Sequence, residues 1–189
     1  MKIFIYFIIY SAYHMLSSTS LEKTASSYYE NRIINNKITP KVYDISHLYL
    51  PNLYKYYDIH NLITVIFMIP LLFNFNMLQE YLSYWIVIFI FRSITTRVTI
   101  LPKYKECKVN NDMQIDGGCY DKIFSGHFAS VFLATLLYLK YNWINLPVLI
   151  LINFINSISI LTTRSHYTID LIVALIFTLF VYQNNLRIK

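Results

Sequence analysis

The chain has 189 residues, of which 56% are hydrophobic and only 14% charged, and it carries a formal charge of +6. Its mean hydropathy is +0.43. That composition argues against a soluble domain with a charged surface and places the chain in the membrane class. The 16 Lys and Arg are scattered rather than gathered on a helical face, which excludes a nucleic-acid site and leaves lipid headgroups and positive-inside bias as their explanation.

In chain order, the first apolar run is 3–16, behind Lys2. It reads either as a first membrane helix or as a signal-like segment ending in small residues up to Ser20. Residues 21–60 are polar, punctuated by Pro40 and Pro51, and too poor in apolar pattern to build a core. They are expected to form a non-cytosolic loop with short interfacial helices. Apolar runs follow at 62–78, 82–101, 123–139, 143–161 and 169–182. With their half-polar ends these are adequate for spans of about 20 residues. The expected fold is all-α: a polytopic bundle of about six transmembrane helices, with residues 61–189 as a five-helix catalytic core. The N-terminus, a turn near Glu80, a turn near Lys140 and the C-terminus share the cytosolic side, because their connections are short and basic.

The chemistry gathers on the other side. All three glycines, Gly117, Gly118 and Gly126, fall within ten residues of one another. Such clustering marks a tight turn or the close approach of a ligand. Ser125 is placed to cap the helix that begins at Gly126, and free amides at a helix start attract phosphate. His127 follows directly. His166 and Asp170 are four apart, so they share a helix face and the carboxylate can orient the imidazole. Arg92 and Arg97 lie on the same side and can offset phosphate charge. Two histidines, an aspartate and arginines suit phosphoryl transfer. Cys107 and Cys119 share one loop and are read either as a disulfide or as two thiols. Without further thiols or a CxxC spacing they make no zinc site, and neither metal nor cofactor is expected.

The segments CYDKIFSGH (Cys119 to His127) and HYTIDLIVA (His166 to Ala174) resemble the CGDxxFSGH and HYTxDVxxA blocks of the sphingomyelin synthase family, within the type-2 phosphatidic acid phosphatase superfamily. FRSITTRVTILP (Phe91 to Pro102) is similar to a third block of that family, and YDISHLYLPNL (Tyr43 to Leu53), more loosely, to a fourth. The resemblance implies a six-helix membrane transferase that moves a phospho-headgroup from a glycerophospholipid donor to ceramide and releases diacylglycerol. His166 would be the nucleophile, Asp170 its orienting partner, and His127 the proton carrier. Arg92, Arg97, Ser125, Gly126 and Asp121 would hold phosphate and headgroup. The site would face the lumen or exterior of a Golgi, endoplasmic reticulum or plasma membrane. Membrane lipids are then the partners, and homo-oligomerisation is left open. Tyr120 stands where the family has Gly and Phe128 where Thr is usual, so the headgroup (choline, ethanolamine or inositol phosphate) is left open. The alternatives are a lipid phosphate phosphatase and a non-catalytic membrane protein. The phosphatase motif SRxxxxxH would need Arg where Ile160 stands.

Overall fold

Proline and asparagine set the break in the first half of the chain. The helix beginning at Asp58 ends at Met68, just before Pro70, whose missing N–H and ring cannot continue it. A 3-10 turn covers Ile69–Phe73, and Asn74 then caps the next helix by accepting from the Met77 amide at 3.1 Å. The turn expected near Glu80 is therefore not there: Glu80 lies within a helix, and the chain bends about ten residues earlier.

The computed structural model describes residues 2–34, 42–104, 107 and 118–188. Among these there are seven α-helices and no strand: α1 Lys2–Ile34, α2 Ile45–Tyr49, α3 Asp58–Met68, α4 Phe75–Val98, α5 Gly126–Lys140, α6 Leu146–Thr162 and α7 Thr168–Gln183. α1 differs most from the sequence expectation. The continuous apolar run stops at Leu16, yet the helix runs on to Ile34. Its second half has no Gly or Pro to stop it, and it buries Leu21, Glu22, Ala25 and Tyr29.

α5 is the hub. It is apolar on all sides and almost wholly buried, as a helix enclosed by others must be. α3, α4, α6 and α7 pack around it, and α1 packs on α4. Polar ties cross these contacts: Asn153 on α6 donates to Thr135 at 2.8 Å, Tyr138 on α5 to the Phe67 carbonyl at 2.8 Å, and Trp85 on α4 to Ser130 at 3.3 Å. Phe91 of α4 stacks on Phe177 of α7 with centroids 3.7 Å apart.

The start of α1, the start of α4, the end of α5 and the C-terminal tail meet at one end of the bundle. There the buried Glu80 accepts from Lys140 at 2.6 Å, Arg187 at 2.8 Å and Tyr141 at 3.2 Å. The outer faces carry exposed Ile8 and Ile9 on α1, Val65 and Ile66 on α3, Leu151 and Phe154 on α6, and Ile176 and Phe180 on α7. Among the described residues no helix is both long and apolar enough to cross a membrane. α5, α6 and α7 have 15, 17 and 16 residues, or about 22–26 Å at 1.5 Å per residue, against a hydrocarbon core of about 30 Å.

Candidate active site

The opposite end holds the chemistry, and Asp170 organises it. One carboxylate oxygen accepts from His166 Nδ1 at 3.0 Å and from the Tyr167 amide at 2.9 Å; the other accepts from the Ile123 amide at 2.8 Å. Asp170 is fully buried and His166 is 5% exposed. A carboxylate accepts only, so the imidazole proton resides on Nδ1 and Nε2 presents a lone pair. Burial pushes His166 below the ordinary imidazole range, opposed by the hydrogen bond and charge of Asp170.

The same aspartate reaches across to the start of α5. Ile123 has φ 73°, a left-handed conformation costly for a β-branched residue, and its amide is held by Asp170. Ser125 donates its amide to the Asp170 carbonyl at 3.2 Å and caps α5 by accepting from the Phe128 amide at 3.3 Å. His127 is thereby brought to the His166 end. Its ring meets His60 edge-to-face at 4.7 Å and has no hydrogen bond among the described residues, so both ring nitrogens are available to a ligand.

The four segments singled out in the sequence are bonded to one another. Asp44 accepts from the Thr168 amide at 2.6 Å and from its hydroxyl at 3.0 Å, fixing the start of α7. His47 Nε2 is 3.1 Å from the His166 carbonyl. Tyr167 donates its hydroxyl to the Pro102 carbonyl at 3.1 Å. Arg92 forms a buried ion pair with Asp121, donates to the Phe124 carbonyl at 3.3 Å, and donates Nη1 to His14 Nε2 at 2.8 Å. A cavity of about 290 Å³ reaches Arg92, Gly126 and His127 between α1, α3, α4 and α5, lined also by Phe7, Trp85 and Phe89.

Not every expected residue takes part in the same way. Arg97 is exposed and turned to α1, where it donates to the Tyr13 hydroxyl at 2.8 Å and to Ser17. Asp121 pairs with Arg92 through Oδ2, while its Oδ1 has no partner among the described residues. The glycines serve close packing: a Cβ on Gly126 would press on Arg92 Nε at 3.0 Å and Phe89 at 3.2 Å, and one on Gly118 would collide with the Glu22 carboxylate. Gly117 lies outside the described residues, as do Glu106, Asp112 and Asp116 in the same loop. Cys107 and Cys119 form a disulfide, with Cα atoms 5.8 Å apart.

Sequence reasoning missed four polar groups here. Glu22 on α1 accepts from the Cys119 and Tyr120 amides at 2.9 and 3.2 Å and is buried. His14 receives Arg92. His60, wholly buried, contacts Ser165 at 3.0 Å and the His127 ring. Lys122 is buried and donates to the Ser165 carbonyl. For His14, His60 and Lys122 the available signal was a charged or imidazole side chain within or against an apolar run, where ionisable groups are usually functional; Glu22, in the polar 21–60 segment, carried no such signal. Tyr120, which departs from the family pattern, stacks on Tyr29 with centroids 5.3 Å apart and planes 5° from parallel, so it fastens the turn to α1.

No curated protein matches the chain as a relative. Residues 118–186 match the family described as PAP2 superfamily C-terminal, a stretch that contains Ser125, His127, His166 and Asp170 and fits a phosphatase or phosphotransferase of lipid phosphates.

Proposed function

We propose that the chain is a membrane-embedded transferase that moves a phospho-headgroup from a glycerophospholipid to ceramide through a phosphohistidine on His166. The observation that carries this reading is the His166 Nδ1–Asp170 hydrogen bond of 3.0 Å, which leaves Nε2 as a nucleophile, with a second histidine, His127, within reach of the His166 charge and free of hydrogen bonds among the described residues. In the first half-reaction, Nε2 forms a bond to phosphorus as the bond to the diacylglycerol oxygen breaks, and His127 gives that oxygen a proton. In the second, the ceramide hydroxyl attacks phosphorus, its proton passes to neutral His127, and the N–P bond breaks. The cavity at His127 has an apolar wall of Phe7, Trp85 and Phe89, suited to an alcohol with a hydrocarbon body.

Support for the membrane comes from the apolar outer faces of α1, α3, α6 and α7, which no described element covers. The end carrying Lys140 and Arg187 would face the cytosol and the histidines the lumen or exterior.

The test is transfer from labelled phospholipid donors (choline, ethanolamine and inositol headgroups) to ceramide, by membranes containing the protein. His166→Ala should abolish both product and the labelled enzyme intermediate, and His127→Ala should stop turnover. Water as the only effective acceptor would replace the transferase by a lipid phosphatase. Undiminished transfer by His166→Ala protein that inserts and accumulates normally would refute the mechanism.

A further inference from the structure

Lys122 has no part in the reaction just described, yet it sits at its centre. It is 4% exposed, between Asp121 and the left-handed Ile123. Its charge acts on His47, His60, His127 and His166, the four histidines of this end that lie outside α1. An ammonium has three N–H donors. The Ser165 carbonyl takes one, and among the described residues no other acceptor and no contact ion pair engages the group. Burial pulls Lys122 below the ordinary lysine range, opposed by the charges of Asp170, Asp121 and Glu22, while Arg92 adds to the depression.

Those carboxylates have donors of their own. Asp170 is taken by His166, Tyr167 and Ile123, and Glu22 by two backbone amides. Asp121 Oδ2 is taken by Arg92, although Oδ1 is left without a donor. The arginines are committed as well. Arg92 holds Asp121, Phe124 and His14; Arg97 holds Tyr13 and Ser17; Arg164 donates to the Leu161, His47 and Leu50 carbonyls. Lys103, half-buried, gives one donor to the Cys107 carbonyl; Lys122 is thus the buried cation of this end with donors to spare among the described residues. A buried ammonium with incomplete hydrogen bonding is costly unless a ligand completes it.

We propose that Lys122 is the phosphate-binding cation of the site, its free N–H donors taking a non-bridging oxygen of the phosphoryl group under attack by His166. This rests on the reading of His166 as the nucleophile. As the Nε2–P bond forms and the P–O bond to the leaving alcohol breaks, charge builds on the non-bridging oxygens. Lys122 offsets it without giving up its proton, which leaves His127 to protonate the leaving oxygen.

Orthovanadate, which adopts the five-coordinate geometry of that transition state, is the probe. Its binding to the full chain in detergent micelles is measured by calorimetry for the parent, Lys122→Met and Lys122→Arg. Loss of charge-assisted hydrogen bonds should weaken binding about 10–100-fold in Lys122→Met, and Lys122→Arg, which restores a cation, should recover most of it. If Lys122→Met fails to fold, Lys122→Gln carries the same comparison, since it keeps a donor for Ser165 but no charge. Vanadate bound as tightly by the Met or Gln protein as by the parent overturns the role of Lys122 and leaves His166 standing. A parent that binds no vanadate overturns both.

Discussion

Replacing Asp170 by Asn changes one atom in a carboxylate that serves three donors, the His166 Nδ1–H and the amides of Tyr167 and Ile123. The amide oxygen can face only one of the two directions. Facing Ile123, it turns the NH₂ toward Nδ1, which must then accept; the proton moves to Nε2 and the nucleophilic lone pair is lost. Facing His166, it sets NH₂ against the Ile123 amide, a buried donor–donor contact costing about 1–3 kcal/mol and loosening the start of α5. Either way transfer should fall by about 10²–10⁴-fold, the range typical of losing imidazole orientation or help with proton transfer. That corresponds to about 3–5 kcal/mol of barrier. The sign of the pH effect is also set. Neutral His166 is the nucleophile, so the rate rises with pH through its pKa. Burial holds that pKa low, and Asp170 raises it. Without the carboxylate charge, the acid limb of the profile should move to lower pH. Release of labelled diacylglycerol from the donor, followed across pH for both proteins, measures rate and limb together. Parent-like rates, or an acid limb displaced upward in the Asn protein, would refute the reasoning.

Arg92→Ala leaves the Asp121 carboxylate buried without its partner and should destabilise the fold by about 3–5 kcal/mol; thermal unfolding in micelles should show Arg92→Ala with Asp121→Asn recovering much of the loss. Glu22→Ala strands the amides of Cys119 and Tyr120 and should cost about 2–6 kcal/mol at about 1–3 per buried donor. Hydrogen exchange should then accelerate at 118–120 before it does elsewhere. Asp44→Ala removes the acceptor at the start of α7 and should cost about 0.5–2 kcal/mol, with a fall in transfer because the same turn carries His166; a chemical denaturation midpoint and the donor assay read the two effects.

Local patterns were legible. The runs 123–139, 143–161 and 169–182 lie close to α5, α6 and α7, because apolar residues enclosed in a bundle and capping side chains act within a few residues of one another. Ser125 as a cap and the His166–Asp170 pair were readable for the same reason: a cap and an i,i+4 contact are properties of one helical turn. The break at Pro70 and Asn74 was written just as locally, but the long apolar run across it masked the signal.

The remainder depended on contacts between residues far apart in the chain. The continuous apolar run ends at Leu16, and the second half of α1 packs on distant partners: Glu22 accepts from the Cys119 amide 97 residues away and Tyr29 donates to the Ile100 carbonyl. Arg92 and Arg97 look alike in sequence. One turn and a half of helix separates them, so one meets Asp121 in the interior and the other meets Tyr13 on α1. Lys122 and His60 carry no motif of their own, and only the packing of α3, α5 and the α6–α7 turn sets both against Ser165. Spacing along the chain thus specified the helices, the α5 cap and the His166–Asp170 pair, since hydrogen bonds within one turn need no outside partner. Which buried charges pair and which keep donors free was decided by tertiary packing, because an ion pair depends on where two distant backbones bring their side chains together.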